Sequence, residues 1–119
     1  MIAERRKYIR LKVSLDFSYK LRDRWQVKKK AVTKNISPTG VSASVDGSIK
    51  KGDWLELNIN IPVYKKPLAC IGKVTWTADK KAGKIDVGIK FEEIDPELKN
   101  MFLEYICGLM YSELQRLRV

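Results

Sequence analysis

The chain contains no histidine, so it lacks the side chain most often used near neutral pH as general base, triad member and metal ligand. Its two cysteines, Cys70 and Cys107, stand far apart and outside any CxxC or Cys/His spacing. That excludes a zinc site and a thioredoxin-like redox pair, and both thiols are expected to be small core residues. No glycine-rich GxxxxGK(S/T) phosphate loop occurs, and no paired carboxylates sit in a catalytic context. Asp86 and Glu92 fall on a strand face opposite the apolar one. A protein that is not an enzyme is expected. No apolar run approaches a membrane span, and Met1-Ile2-Ala3-Glu4 leads straight into charge without the apolar stretch of a secretory signal. A reducing, cytoplasmic location follows. Internal repeats, low-complexity segments and linkers are absent as well.

What is present is enough for one domain: 119 residues, 45% of them hydrophobic, can bury a core without staples. Against 14 Asp and Glu stand 24 Lys and Arg, a formal charge of +10. Such an excess favours nucleic acid, anionic lipid or phosphorylated small molecules as partners; the alternative is a surface that lysine merely solvates.

The stretch 12–21 alternates throughout, with Val13, Leu15, Phe17, Tyr19 and Leu21 on one face and Lys12, Ser14, Asp16, Ser18 and Lys20 on the other. This is the pattern of a half-buried strand. A turn at 22–25 leads to a second strand over 27–36, whose Lys28, Lys29 and Lys30 are either solvated or turned to an anion. Gly40 opens a third strand, Val41, Ala43 and Val45 against Ser42 and Ser44, ended by an Asp46-Gly47 hairpin signal. A fourth covers 55–61 until Pro62, a fifth 68–77, and a sixth begins at Ile85 after a turn-like 78–84. Six strands with short connections argue a small antiparallel β-barrel, since closure removes exposed edges.

At Asp95-Pro96 the period changes to helical. Asp95 suits the N-cap, Pro96 the first helical position, and apolar residues from Leu98 to Leu117 recur at helical spacing. The fold class is therefore all-β with a C-terminal helix. That helix is longer than one barrel face needs, so its far half either frays or contacts a second copy, as in a homodimer. Trp25 and Trp54 are expected to pack or to lie on the rim.

Two segments carry the chemistry. Asn35-Ile36-Ser37-Pro38-Thr39-Gly40 is a polar turn between strands: Asn and Ser side chains bond nearby backbone, Pro fixes φ, and Gly accepts a left-handed conformation. Successive N–H groups in such a turn can cradle an anionic oxygen. Upstream lies the basic run Arg5-Arg6-Lys7-Tyr8-Ile9-Arg10.

These segments resemble the PilZ domain, the bacterial receptor module for cyclic di-GMP. Arg6-Lys7-Tyr8-Ile9-Arg10 fits the family's RxxxR motif, preceded by a further Arg, Arg5, and the polar turn fits its (D/N)xSxxG motif. Gly72-Lys73-Val74-Thr75-Trp76 and Gly88-Ile89-Lys90-Phe91 resemble its late-barrel segments, and the order of barrel then helix agrees. The resemblance implies a non-catalytic receptor that needs no cofactor and takes cyclic di-GMP as ligand. It divides the chain into an N-terminal arm (1–11), a PilZ-like barrel (12–94) and a helix (95–119). Arg6 and Arg10 would clamp the ligand, Asn35 and Ser37 contact it, and Gly40 shape the turn for close approach. Arg5 is either a solvated tail residue or a third guanidinium for a second, stacked ligand; Trp76 either packs the barrel or stacks on guanine. The guanidinium fork matches both phosphate and the O6 and N7 acceptors of guanine. Two other readings stand beside this one: a small basic barrel that binds nucleic acid through its Lys-rich strands, and a scaffold that holds a protein partner through the long helix.

Overall fold

The computed structural model describes residues 10–117. Six strands, β1 (Asp16–Leu21), β2 (Lys29–Ser37), β3 (Gly40–Asp46), β4 (Trp54–Ile59), β5 (Leu68–Lys81) and β6 (Lys84–Ile94), precede one helix, α1 (Pro96–Leu117). The strands close an antiparallel barrel in the order β1-β2-β3-β6-β5-β4. Alternation dictates which side chains fill it. Phe17 and Tyr19 of β1, Val41, Ala43 and Val45 of β3, Leu55, Leu57 and Ile59 of β4, and Val87 and Ile89 of β6 are buried together. Tyr19 brings a hydroxyl into this core, and it accepts the Asp46 N–H at 2.9 Å.

The expected first strand, 12–21, is laddered only from Asp16. Residues before it are held by a side chain: the Thr33 hydroxyl donates to Val13 O at 2.6 Å and accepts the Leu15 N–H at 2.8 Å. A buried hydroxyl thus replaces part of the backbone ladder. Nor do Asp46 and Gly47 make a hairpin. The second neighbour of β3 is β6, paired from Gly40↔Lys90 to Asp46↔Lys84. Asp46 instead closes a local turn, its Oδ1 accepting from Ser48 N–H at 2.9 Å and from Ser48 Oγ at 2.6 Å. The Lys29 ammonium, 2.7 Å from Oδ2, together with these bonds holds the Asp46 carboxyl well below the usual carboxylate range. The tight hairpin lies further on. β5 and β6 continue through the expected turn 78–84 to Lys81↔Lys84, joined by Ala82 and Gly83 with φ of 52° and 77°. Two consecutive left-handed residues match the strand twist in a two-residue loop.

At the start of α1, Asp95 Oδ1 accepts the Glu97 N–H at 2.9 Å, an N-cap as its sequence position implies. Phe102 and Ile106 are the helix residues that are fully buried. Phe102 meets Phe91 edge to face with centroids 5.4 Å apart, and the Tyr64 hydroxyl donates to Met101 O at 3.2 Å. Beyond Met110 the helix leaves the barrel, and Tyr111, Leu114 and Leu117 are exposed. Cys70 is buried, and burial pushes its thiol up to about 12. Cys107 is exposed, contrary to the expectation for it: one residue past buried Ile106, it is rotated by about 100° off the face that Phe102 and Ile106 bury.

Truncating Phe102 to Ala should cost about 3–5 kcal/mol in urea unfolding, whereas Leu114→Ala should stay within about 0.5 kcal/mol. In the native protein a thiol reagent should label Cys107 rapidly and Cys70 only after unfolding, as counted by mass spectrometry.

Candidate functional site

Period-two alternation would turn Asn35 inward, on the same face as buried Thr33. The β2–β3 ladder prevents this. Thr33 pairs with Ala43 and Asn35 with the next residue, Ser42, so β2 carries one extra residue, Lys34. This bulge brings Thr33 and Ile36, three apart, both into the core and leaves Asn35 on the outer face. β5 does the same: Val74 pairs with Ile89 and Trp76 with Gly88, Thr75 being the extra residue. Trp76, two after buried Val74, is thereby turned outward.

The two bulges align a row across four strands, Asn35↔Ser42↔Gly88↔Trp76. Within it Asn35 Nδ2 donates to Ser42 Oγ at 3.1 Å, which orients the amide and satisfies a hydroxyl that is largely buried. Gly88 is the seat of the indole, since a Cβ there would lie 2.0 Å from Trp76 Nε1. The adjoining outward row is Ser37↔Gly40↔Lys90↔Lys73. Ser37 Oγ accepts the Thr39 N–H at 3.3 Å, and Thr39 O accepts the Phe91 N–H at 2.8 Å, so the Pro38-Thr39 turn is fastened to β6. The polar turn led one to expect a left-handed Gly40, but its φ is not positive. Its role is contact between strands: a Cβ would sit 2.1 Å from Ile89 O.

The arm arrives at this row through its last residue. Leu11 and Ile36 exchange both backbone hydrogen bonds at 2.8 Å, and Leu11 is buried. Arg10 consequently lines the same cleft as Asn35, Ser37, Gly40, Trp76 and Lys90, a space of about 230 Å³. Five of the seven sequence-predicted site residues are brought together; Arg5 and Arg6 lie outside the described residues. Lys90 adds a second cation, with Glu92 4.0 Å away, and the Lys34–Asp86 pair at 2.8 Å borders the Asn35 row. Sequence reasoning placed Gly88 and Lys90 in a late-barrel segment but gave neither them nor Ser42 a part in the site. For Gly88 a signal existed, because a glycine inside a strand marks a close approach. Among the described residues no cluster of potential metal ligands occurs, and no helix is long and apolar enough to cross a membrane.

The PilZ domain family signature matches residues 4–108. The chain belongs to the PilZ family. Solved structures agree on this fold. The PilZ domain of YcgR from Escherichia coli, determined with c-di-GMP, has a TM-score of 0.72 at 13% identity, covering 97% of this chain and 98% of that one. The K. pneumonia MrkH–c-di-GMP complex reaches 0.76 at 9% identity over 97% of this chain and 56% of that one. The Bacillus subtilis inhibitor of motility MotI/DgrA gives 0.72 at 20% identity and 95% coverage of this chain; the PilZ chain spans about half of its length, 53%. No curated protein sequence matches significantly.

In a Trp25→Phe, Trp54→Phe background, Gly88→Ala should shift the emission of Trp76 to the red by displacing the indole into water. Gly40→Ala, which meets backbone, should destabilise by about 1–3 kcal/mol in thermal or urea unfolding.

Proposed function

We propose that this PilZ domain is a non-catalytic receptor for cyclic di-GMP, held between the Arg6/Arg10 pair and the Asn35–Ser37 turn. The observation that carries the reading is the Leu11–Ile36 bridge, which sets Arg10 into the cleft that Asn35, Ser37 and Trp76 line. Support comes also from the family and from neighbours of the same fold whose structures contain c-di-GMP.

The chemistry follows from the donor set. With Nδ2 engaged by Ser42, the Asn35 side-chain carbonyl is the group offered to a ligand, and it accepts from the N1–H or exocyclic amine of guanine. The Arg10 fork meets phosphate or the O6 and N7 edge. Arg6 is four residues upstream, at most about 14 Å of extended chain, so it reaches the same ligand. Ser37 binds phosphate or keeps the turn closed, and the Trp76 face stacks on a base. Closing of the Arg6/Arg10 pair on the ligand shifts the population of states, and that shift is the signal. Exposed apolar surface on α1 beyond Met110 is where a protein partner reads it.

Isothermal titration of the whole chain should give micromolar or tighter binding of cyclic di-GMP. Arg6→Ala with Arg10→Ala should abolish it, and Asn35→Ala should weaken it about tenfold, the loss of one hydrogen bond of about 1.4 kcal/mol. Absence of binding, or an unchanged affinity in the double Arg variant, would overturn the proposal.

A further inference from the structure

Between β1 and β2 the chain forms a loop that the cleft does not use. Its base is fixed: Arg22 N–H donates to Trp54 O at 2.8 Å, Leu21 N–H donates to Gln26 Oε1 at 3.3 Å, and Asp23 is left-handed at φ 67°. Gln26 is half-buried between Trp25, 96% exposed, and Val27, 83% exposed. The polar side chain is thus tied to the protein while the two apolar ones stand in water, the reverse of what solubility alone selects. Exposed cations surround them. Arg22 and Lys29 are engaged by Glu93 at 3.7 Å and Asp46 at 2.7 Å. Arg24, Lys28 and Lys30 pair with no carboxylate among the described residues.

An indole and a β-branched side chain held clear of the fold, with unpaired cations at their base, match the boundary between phosphate headgroups and acyl chains. There the indole is at home, the valine leaves water, and the cations meet lipid phosphate. Nucleic acid could stack on Trp25 but offers little to Val27, because its sugar-phosphate backbone is polar. A stable protein interface buries about 800 Å² on each partner, far more than two apolar side chains supply. We propose that the loop of residues 22–28 is a contact for anionic membrane surfaces, with Trp25 and Val27 entering the lipid interface and Arg24, Lys28 and Lys30 binding its phosphates. The loop joins β2 at Lys29 and the cleft lies at Ser37, roughly 26 Å apart at about 3.3 Å per residue. Lipid and cleft ligand therefore do not compete for the same end of the strand.

Flotation of the whole chain with vesicles tests this without any cleft ligand, so its outcome is independent of the receptor proposal. The chain should float with mixed phosphatidylglycerol–phosphatidylcholine vesicles and not with phosphatidylcholine alone. Its emission should shift to the blue on binding, a shift lost in Trp25→Phe. Trp25→Ser with Val27→Ser, and separately Arg24→Glu with Lys28→Glu and Lys30→Glu, should each lower partitioning at least tenfold while leaving the melting temperature unchanged. No flotation with the anionic vesicles, or equal flotation of the loop variants, would overturn the proposal. Trp25-dependent binding of single-stranded DNA without flotation would overturn it in favour of a nucleic-acid surface.

Discussion

The two backbone hydrogen bonds between Leu11 and Ile36 connect the arm to the barrel, and the geometry of the cleft depends on them. They are reinforced by burial of Leu11 and, earlier on β2, by the Thr33 hydroxyl and N–H, which hold Val13 and Leu15. The chain after Arg10 is therefore fixed at several points, and Arg10 leaves the barrel beside Asn35.

A second constraint acts across the sheet. Each bulge adds one residue to one strand, at Lys34 and at Thr75, and each reverses the face of the residue that follows. Because the barrel is closed, neither strand can slip to restore alternation, and Asn35 and Trp76 stay on the outer face at the two ends of one row. Two glycines, one in this row and one in the row beside it, shape the cleft by different means. Gly40 lets β3 lie close against the Ile89 carbonyl, and Gly88 leaves room for the indole of its cross-strand neighbour. The cleft is thus built from backbone irregularity and missing side chains as much as from the polar groups that line it.

The rest of the barrel supplies rigidity. Its core of apolar residues takes in two hydroxyls, those of Tyr19 and Thr33, and both are hydrogen-bonded. Among the described residues no buried side-chain nitrogen or oxygen lacks a partner, which keeps a small core from carrying an uncompensated desolvation cost. Apolar side chains that the core does not use stand exposed, among them Trp25 and Val27 of the β1–β2 loop, Val63 between β4 and β5, and Tyr111, Leu114 and Leu117 of α1.

The sequence alone determined the inventory. Alternation at Phe17 and Tyr19, at Val41, Ala43 and Val45, and at Leu55, Leu57 and Ile59 reports burial directly, as does the helical spacing that carries Phe102 and Ile106 inward. Asp95 reads as a cap because the bond it makes is local. The motif residues around Asn35 and Arg10 were equally legible, since their types and spacing are intrinsic to the chain. Tertiary structure decided what no local pattern encodes. The pairing of β3 with β6, in place of a hairpin at Asp46-Gly47, depends on contacts some forty residues away in sequence. The bulges that turn Asn35 and Trp76 outward are set by the partner strand. The glycines at 40 and 88 acquire their roles only from the atoms opposite them. The tendency to be buried is written in a residue and its near neighbours along the chain, whereas register and cross-strand contact belong to pairs of strands, and only the closed barrel fixes those pairs.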